Sequence, residues 1–164
     1  MSQRVAVYPG SFDPVTLGHL DILDRATAIF DRVMVAVLAN PAKTPLFTAE
    51  ERVEIIRQCI ADRPNVDVGS FDGLTVDYAE SLGATAIVRG LRVLSDFESE
   101  FTMALMNRRL KPSINTVFLM TSSSNVFISS SIIKEVCALG GSVDEVAPDV
   151  SVRAMRRKFG IDTS

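Results

Sequence analysis

Histidine and cysteine are scarce in this 164-residue chain: one His, at position 19, and two Cys, at 59 and 137. One imidazole and no Cys-x-x-Cys spacing give no ligand set for a zinc-type centre. Both thiols sit in apolar helical patterns and read as reduced core residues of a cytosolic protein. Long apolar runs are missing as well. Nothing approaches the roughly 18–20 residues that cross a bilayer, so no membrane partner is expected. The N-terminus has no basic stretch leading into an apolar one, so no signal peptide is expected and the expected location is cytoplasmic. A basic excess is also lacking. Lys and Arg number 17 against 20 Asp and Glu, a formal net charge of −3. That argues against non-specific nucleic-acid binding, which depends on a basic surface. An anionic substrate therefore needs a local cluster of cations within an acidic protein. Linkers, repeats and low-complexity tracts are absent too, and 47% hydrophobic residues suffice for a core. The expectation is one domain over residues 1–164.

What is present alternates. Arg4–Tyr8, Val33–Leu38, Val66–Phe71, Thr85–Val88 and Thr116–Met120 are short, nearly continuous apolar runs, the pattern of strands buried on both faces. Helical patterns separate them. One starts at the N-cap candidate Thr16 and reaches about Phe30; a second follows the capping box Thr48-Ala49-Glu50-Glu51 and reaches about Ile60. A short helix over Leu74–Leu82 stops at Gly83. Ser95-Asp96-Phe97-Glu98 reads as another capping box, opening a helix to about Arg109 that buries Phe97, Phe101 and Leu105. A helix from Ser129–Ser131 to about Leu139, and one over about Val150–Phe159, complete the chain. Strand–helix alternation predicts an α/β fold: a Rossmann-like, doubly wound, five-stranded parallel sheet with helices on both faces and a C-terminal helix. Ligands of such sheets bind beyond the carboxyl ends of the strands.

Three groups of residues fall at those ends. The first is the turn Tyr8-Pro9-Gly10-Ser11-Phe12-Asp13-Pro14-Val15-Thr16-Leu17-Gly18-His19, between the first strand and the first helix. Free N–H groups and the helix dipole converge there on an anion, and a histidine in the first helical turn can donate to a phosphoryl oxygen as charge builds on it. The second is Ile128-Ser129-Ser130-Ser131 before a helix carrying Lys134, a possible anion cradle of hydroxyls and N–H groups. The third is the cation set Lys43, Arg89 and Arg92; Arg89 closes the apolar run Ala86-Ile87-Val88, where it can clasp phosphate bidentately. Each has a plainer reading as cap or solvated charge. Asp13 and Asp96 read equally well as turn and cap residues, and Glu100 as a solvated helix residue or one facing the pocket.

Together these residues resemble the nucleotidyltransferase superfamily, whose paired signatures stand here as Thr16-Leu17-Gly18-His19 and Ile128-Ser129-Ser130-Ser131. Within it, the chain is more closely similar to the bacterial phosphopantetheine adenylyltransferase family. Tyr8–His19, Asn40–Lys43, Phe47–Arg52, Val88–Arg92, Asp96–Glu100, Met106–Arg108 and Phe127–Ser131 followed by Lys134-Glu135-Val136 run in that family's order. The resemblance implies transfer of the adenylyl group of ATP to 4′-phosphopantetheine, giving dephospho-coenzyme A and pyrophosphate, with Mg²⁺ as cofactor. It implies phosphopantetheine contacts from Ser11, Lys43, Thr75 and Arg89. ATP contacts would come from Ser11, Phe12, His19, Gly90, Leu91, Arg92, Glu100, Asn125, Val126, Phe127, Ile128, Ser129, Ser130 and Ser131. It further implies coenzyme A as a feedback inhibitor and a homohexamer built from trimers. Ser11 replaces a threonine of many relatives, Ser99 a common tyrosine, and Asn125 an aromatic residue near the adenine.

The implied chemistry is in-line attack of a phosphate oxygen on the α-phosphorus, with His19, Lys43 and Arg92 as the catalytic set. No acidic pair stands at metal-ligand spacing, which suits Mg²⁺ held mainly by ATP phosphates and water. Two other readings stay open at this stage: adenylyl or cytidylyl transfer to a mononucleotide or polyol phosphate, and a non-catalytic nucleotide sensor on the same fold.

Overall fold

A computed structural model describes residues 3–39, 44–92 and 94–161, with the side chains of residues 94–96 left aside. Five strands form one parallel sheet: β1 (Val5–Gly10), β2 (Arg32–Leu38), β3 (Val66–Phe71), β4 (Ala86–Leu91) and β5 (Asn115–Met120). The helices are α1 (Leu17–Thr27), α2 (Ala49–Cys59), α3 (Thr75–Ser81), α4 (Leu94–Leu110), α5 (Ser130–Ala138) and α6 (Asp149–Phe159). The order across the sheet is β3-β2-β1-β4-β5. The chain therefore winds outward from β1 to one edge, returns past it, and winds to the other. The direction reverses between β1 and β4, and the carboxyl ends of those two strands flank the crevice.

The period of two along a strand divides the core between the two faces. Ala6 and Tyr8 of β1 pack with Ile22 and Leu23 of α1, Ile56 of α2, Ile133 of α5 and Met155 of α6. Val7 packs the other way, with Val76 and Ala79 of α3. Gly90 of β4 is where α1 comes closest, since a Cβ there would lie 3.0 Å from Cγ1 of Ile22. Both cysteines are free, Cys137 buried and Cys59 partly so. Among the described residues no helix is long and apolar enough to cross a membrane.

The last two helices fasten the segment that leaves β1. The Ser130 hydroxyl donates to the Pro14 carbonyl at 2.9 Å. That of Ser151, fully buried in α6, donates to the Val15 carbonyl at 2.8 Å.

Three expectations need correction. Ser95 does not cap α4, because the helix already begins at Leu94. The fourth strand does not end at Val88: Arg89, Gly90 and Leu91 are its last three residues, since the ladder with β5 continues to Leu91. The helical stripe of α4 is not buried: Phe97, Phe101 and Leu105 are 42%, 47% and 53% exposed. Four-residue spacing identifies an apolar face but not what covers it; among the described residues Phe118 touches Phe97, and the stripe stays largely exposed.

Replacing Ser151 with alanine strands the Val15 carbonyl in the core and should cost about 1–3 kcal/mol of stability. Urea unfolding checks this as a lowered midpoint at unchanged slope.

Candidate active site

Two cavities open at the carboxyl ends of β1 and β4. The larger, about 340 Å³, is lined by Tyr8–Phe12, Thr16, Gly18, His19, Ile22, Arg89, Gly90, Arg92, Ser99, Glu100, Thr121 and Ile128–Ser131. The smaller, about 250 Å³, is lined by Ser11–Asp13, His19, Leu38, Thr44, Pro45, Arg52, Ser130, Ser131 and Lys134. They share Ser11, Phe12, His19, Ser130 and Ser131. His19 and Ser11 thus stand where two bound groups would meet.

The turn is shaped to present His19. Phe12 takes a left-handed backbone conformation, φ 49°, which is uncommon and costly for a bulky residue. Its ring is buried in T-shaped contacts with Tyr8 and with His19, centroids 5.3 and 4.9 Å away. Thr16 is the N-cap of α1, as its sequence position predicts, and its hydroxyl accepts from the His19 N–H. His19 completes the capping box in the place a glutamate usually takes. Its Nδ1 accepts the Thr16 backbone N–H at 3.0 Å. A ring nitrogen that accepts carries no proton, so the neutral ring carries its proton on Nε2. Burial, and then the charges of Arg92 and Arg89, lower the His19 pKa to about 4. The ring is therefore a neutral donor at physiological pH.

Arg89 rises from the end of β4. Its Nε donates to Glu100 Oε2 at 2.7 Å, Nη2 to Oε1 of the same carboxylate, and Nη1 to the Pro9 carbonyl at 3.0 Å. Three of the roughly five guanidinium N–H groups are engaged, leaving two for an anion. Glu100 thus faces the crevice rather than solvent. Arg92 donates to the Ile128 carbonyl at 2.7 Å, tying the end of β4 to the serine run. The serines divide their work. Ser129 caps α5, its hydroxyl accepting the Ile132 N–H, while Ser130 is spent on Pro14. Of the three hydroxyls, Ser131 is the exposed one lining both cavities, so the cradle is mainly backbone and helix start. Burial also pushes the Tyr8 phenol up, keeping it neutral beside the arginines.

Most of the sequence-derived set converges: Ser11, Phe12, His19, Arg89, Gly90, Arg92, Glu100, Ile128, Ser129, Ser130 and Ser131 all line the larger cavity. Leu91, Asn125, Val126 and Phe127 line neither cavity, and Phe127 is 68% exposed. Asn125 instead donates to the Ser122 hydroxyl within its own turn. Thr75, the first residue of α3, also lines neither. Lys43 lies outside the described residues. Three charged residues escaped the sequence reading: Arg52, Asp13 as more than a turn residue, and Lys134 as the partner of Asp13. Arg52 stands on the buried face of α2, among Val53, Ile55 and Ile56, and a charge on an apolar face was the available signal.

With only one imidazole, ¹⁵N NMR reads His19 without ambiguity. The Nε2–H tautomer should persist from pH 8 to pH 5, with a midpoint near 4; a midpoint at the ordinary value near 6.5 would remove the assignment. Because the folded pKa is depressed, the stability His19 contributes is fully present above pH 6.5. It declines as the pH falls from 6.5 towards 4, where the unfolded chain binds a proton the folded one refuses.

Comparison with known proteins agrees with this geometry. A family model described as Cytidylyltransferase-like matches residues 7–136, from β1 through most of α5. A protein named phosphopantetheine adenylyltransferase from Caldanaerobacter subterraneus subsp. tengcongensis is 53% identical over 156 residues, 95% of this chain and 98% of that one. One of the same name from Heliobacterium modesticaldum is 55% identical, covering 95% and 93%. Another from a Picosynechococcus species is 56% identical over 145 residues, covering 88% and 82%. Identity at this level, running through both halves of the crevice, establishes that the chain belongs to the phosphopantetheine adenylyltransferase family, nucleotidyltransferases of coenzyme A biosynthesis that transfer AMP to phosphopantetheine.

Proposed function

We propose that this chain, over residues 1–164 as one catalytic domain, joins ATP and 4′-phosphopantetheine by direct in-line attack. A phosphate oxygen of phosphopantetheine forms a bond to the α-phosphorus as the bond to the β-phosphate oxygen breaks, and pyrophosphate leaves. The nucleophile is already an anion, so no side chain need take a proton or become covalent. The observation that carries the reading is the His19 ring, held by Nδ1 on the Thr16 N–H with Nε2–H left to serve the phosphoryl oxygens. Arg92 and Lys43 balance the triphosphate. Ser11, Thr75 and Arg89 serve the acceptor, with Ser11 orienting the attacking phosphate. Phe12, which buries its ring, serves ATP through its backbone; Gly90, Leu91, Glu100 and the residues from Asn125 to Ser131 complete the nucleotide side.

The family's reaction suggests a divalent metal, and the donor set fits one that arrives with the nucleotide. Among the described residues no three His, Cys, Asp or Glu side chains converge as a cage. The two carboxylates at the crevice are engaged by cations, Glu100 by Arg89 and Asp13 by Lys134. Mg²⁺ would be held by ATP phosphates and water, neutralising charge on the departing pyrophosphate. Coenzyme A, which contains the product, would span both cavities and compete as a feedback inhibitor. A homohexamer fits two exposed apolar surfaces: Phe97, Phe101, Met103, Leu105 and Met106 on α4, and Phe127, Ile132, Val136 and Leu139 about α5. A dimer of trimers needs two distinct contacts of this kind. The cytoplasm is the proposed location.

Purified protein with ATP and Mg²⁺, offered a panel of acceptors, should release pyrophosphate with phosphopantetheine only. Release with a mononucleotide or polyol phosphate would redirect the specificity, and nucleotide binding with no release would mark a sensor. His19→Ala should lower kcat by about 10²–10³ while ATP still binds. Arg89→Ala should chiefly raise KM for phosphopantetheine. Sedimentation should find a hexamer, and Phe101→Glu should shift it to smaller species.

A further inference from the structure

Among the described residues the buried polar and charged side chains are Asp13, Thr16, Arg52 and Ser151. All four serve one stretch of chain, residues 11–16. Thr16 caps α1 and Ser151 holds the Val15 carbonyl. The other two carry full charges and work as a complementary pair. Arg52 Nη1 donates to the Ser11 carbonyl at 2.7 Å and to the Leu38 carbonyl at 3.1 Å, just beyond the end of β1 and at the end of β2. Its Nε is shared between the Phe47 and Thr48 carbonyls at 3.2 and 3.3 Å, at the start of α2. Asp13 does the converse. Its carboxylate accepts the Leu46 and Phe47 N–H groups, each at 2.9 Å, and the Lys134 ammonium at 2.6 Å. A cation thus gathers carbonyls and an anion gathers N–H groups, and residues 11–13 are stitched to residues 46–48 from both sides.

Stability alone does not call for this. Buried charges carry a desolvation cost that apolar side chains of the same volume avoid. What a rigid guanidinium fork and a two-oxygen carboxylate add is direction: they fix where several backbone atoms lie relative to one another. The backbone atom that Arg52 holds most closely is the carbonyl of Ser11, whose own side chain is exposed in both cavities. We propose that Arg52 and Asp13 are positioning residues of the reaction, a buried clamp that holds Ser11 in register with His19. This rests on the reading above that Ser11 orients the attacking phosphate. The clamp touches neither substrate. It acts by keeping the Ser11 hydroxyl within reach of the acceptor, where a displacement of about 1 Å can cost up to a hundredfold in rate.

The test is a kinetic cycle on the full-length enzyme. Arg52→Lys keeps the charge and loses the fork; Asp13→Asn keeps the volume and loses the charge. If either fails to fold, the other carries the same test. Each should lower kcat/KM for phosphopantetheine by about tenfold or more. KM for ATP should stay within about twofold, and the His19 ¹⁵N signals should be unchanged, because the Thr16–His19 box is local to α1. In a Ser11→Ala background the further loss on adding Arg52→Lys should shrink to less than about threefold, since residues acting through one another are not additive. Lowered thermal stability with both KM values and kcat unchanged would make the clamp merely structural and overturn the proposal. A full penalty retained beside a costly Ser11→Ala would show action through something other than Ser11, and also overturn it. A Ser11→Ala enzyme with wild-type kinetics would instead refute the role given to Ser11, and with it the route by which the clamp is said to act.

Discussion

A chain leaving a parallel strand loses the ladder that satisfied its backbone, and every buried N–H and C=O must then find another partner. That constraint is heaviest between β1 and α1, where Gly10–Thr16 runs through the interior carrying the groups the site needs. The solution is distributed over the whole molecule. The Ser11, Pro14 and Val15 carbonyls are held by Arg52 of α2, Ser130 of α5 and Ser151 of α6. Thr16 and His19 satisfy each other. Elements distant in sequence converge on one turn because that turn cannot support itself.

The same economy governs the charges. In an acidic protein the cations at the crevice are placed rather than abundant. Arg89 is balanced by Glu100 and anchored to Pro9, Lys134 is balanced by Asp13, and Arg92 reaches across to the serine segment. Arg89 and Arg92 in turn disfavour a proton on His19. An imidazole that stays neutral can donate from one nitrogen because the other is committed to the backbone. Burial first, and the two cations after it, therefore keep His19 neutral.

Much of this was open to sequence reasoning because it rests on local rules. The alternation of apolar runs with capped helices gave five strands and six helices within a few residues, and β3 at its observed bounds. The Thr16 and Thr48 caps follow from their spacing to the residues they bond. Most candidate site residues meet at one crevice because parallel sheets collect the carboxyl ends of their strands on one edge. The misses share a cause. Ser95 fitted a capping box, which would start the helix at Asp96, yet the backbone turned helical two residues sooner, at Leu94. Phe97, Phe101 and Leu105 showed a stripe without showing that it stays largely exposed among the described residues. Ser129 and Ser130 looked like a free cradle, but capping and the Pro14 carbonyl claim their hydroxyls.

The sequence by itself determined the class of fold, the neutral-to-acidic surface with its few placed cations, and the two motifs that face each other across the crevice. These depend on periodicity, composition and short-range hydrogen bonding, which a linear reading can follow. Only the tertiary structure decided that the His19 ring is buried beside Arg92 and Arg89, that Arg89 is shared with Glu100, and that the turn is braced by Arg52 on the Ser11 carbonyl, 41 residues away, and by Asp13 on the Leu46 N–H, 33 residues away. Those outcomes depend on which groups burial brings within about 3 Å of one another, and at that range an unpaired buried group costs more than almost any local preference can offset.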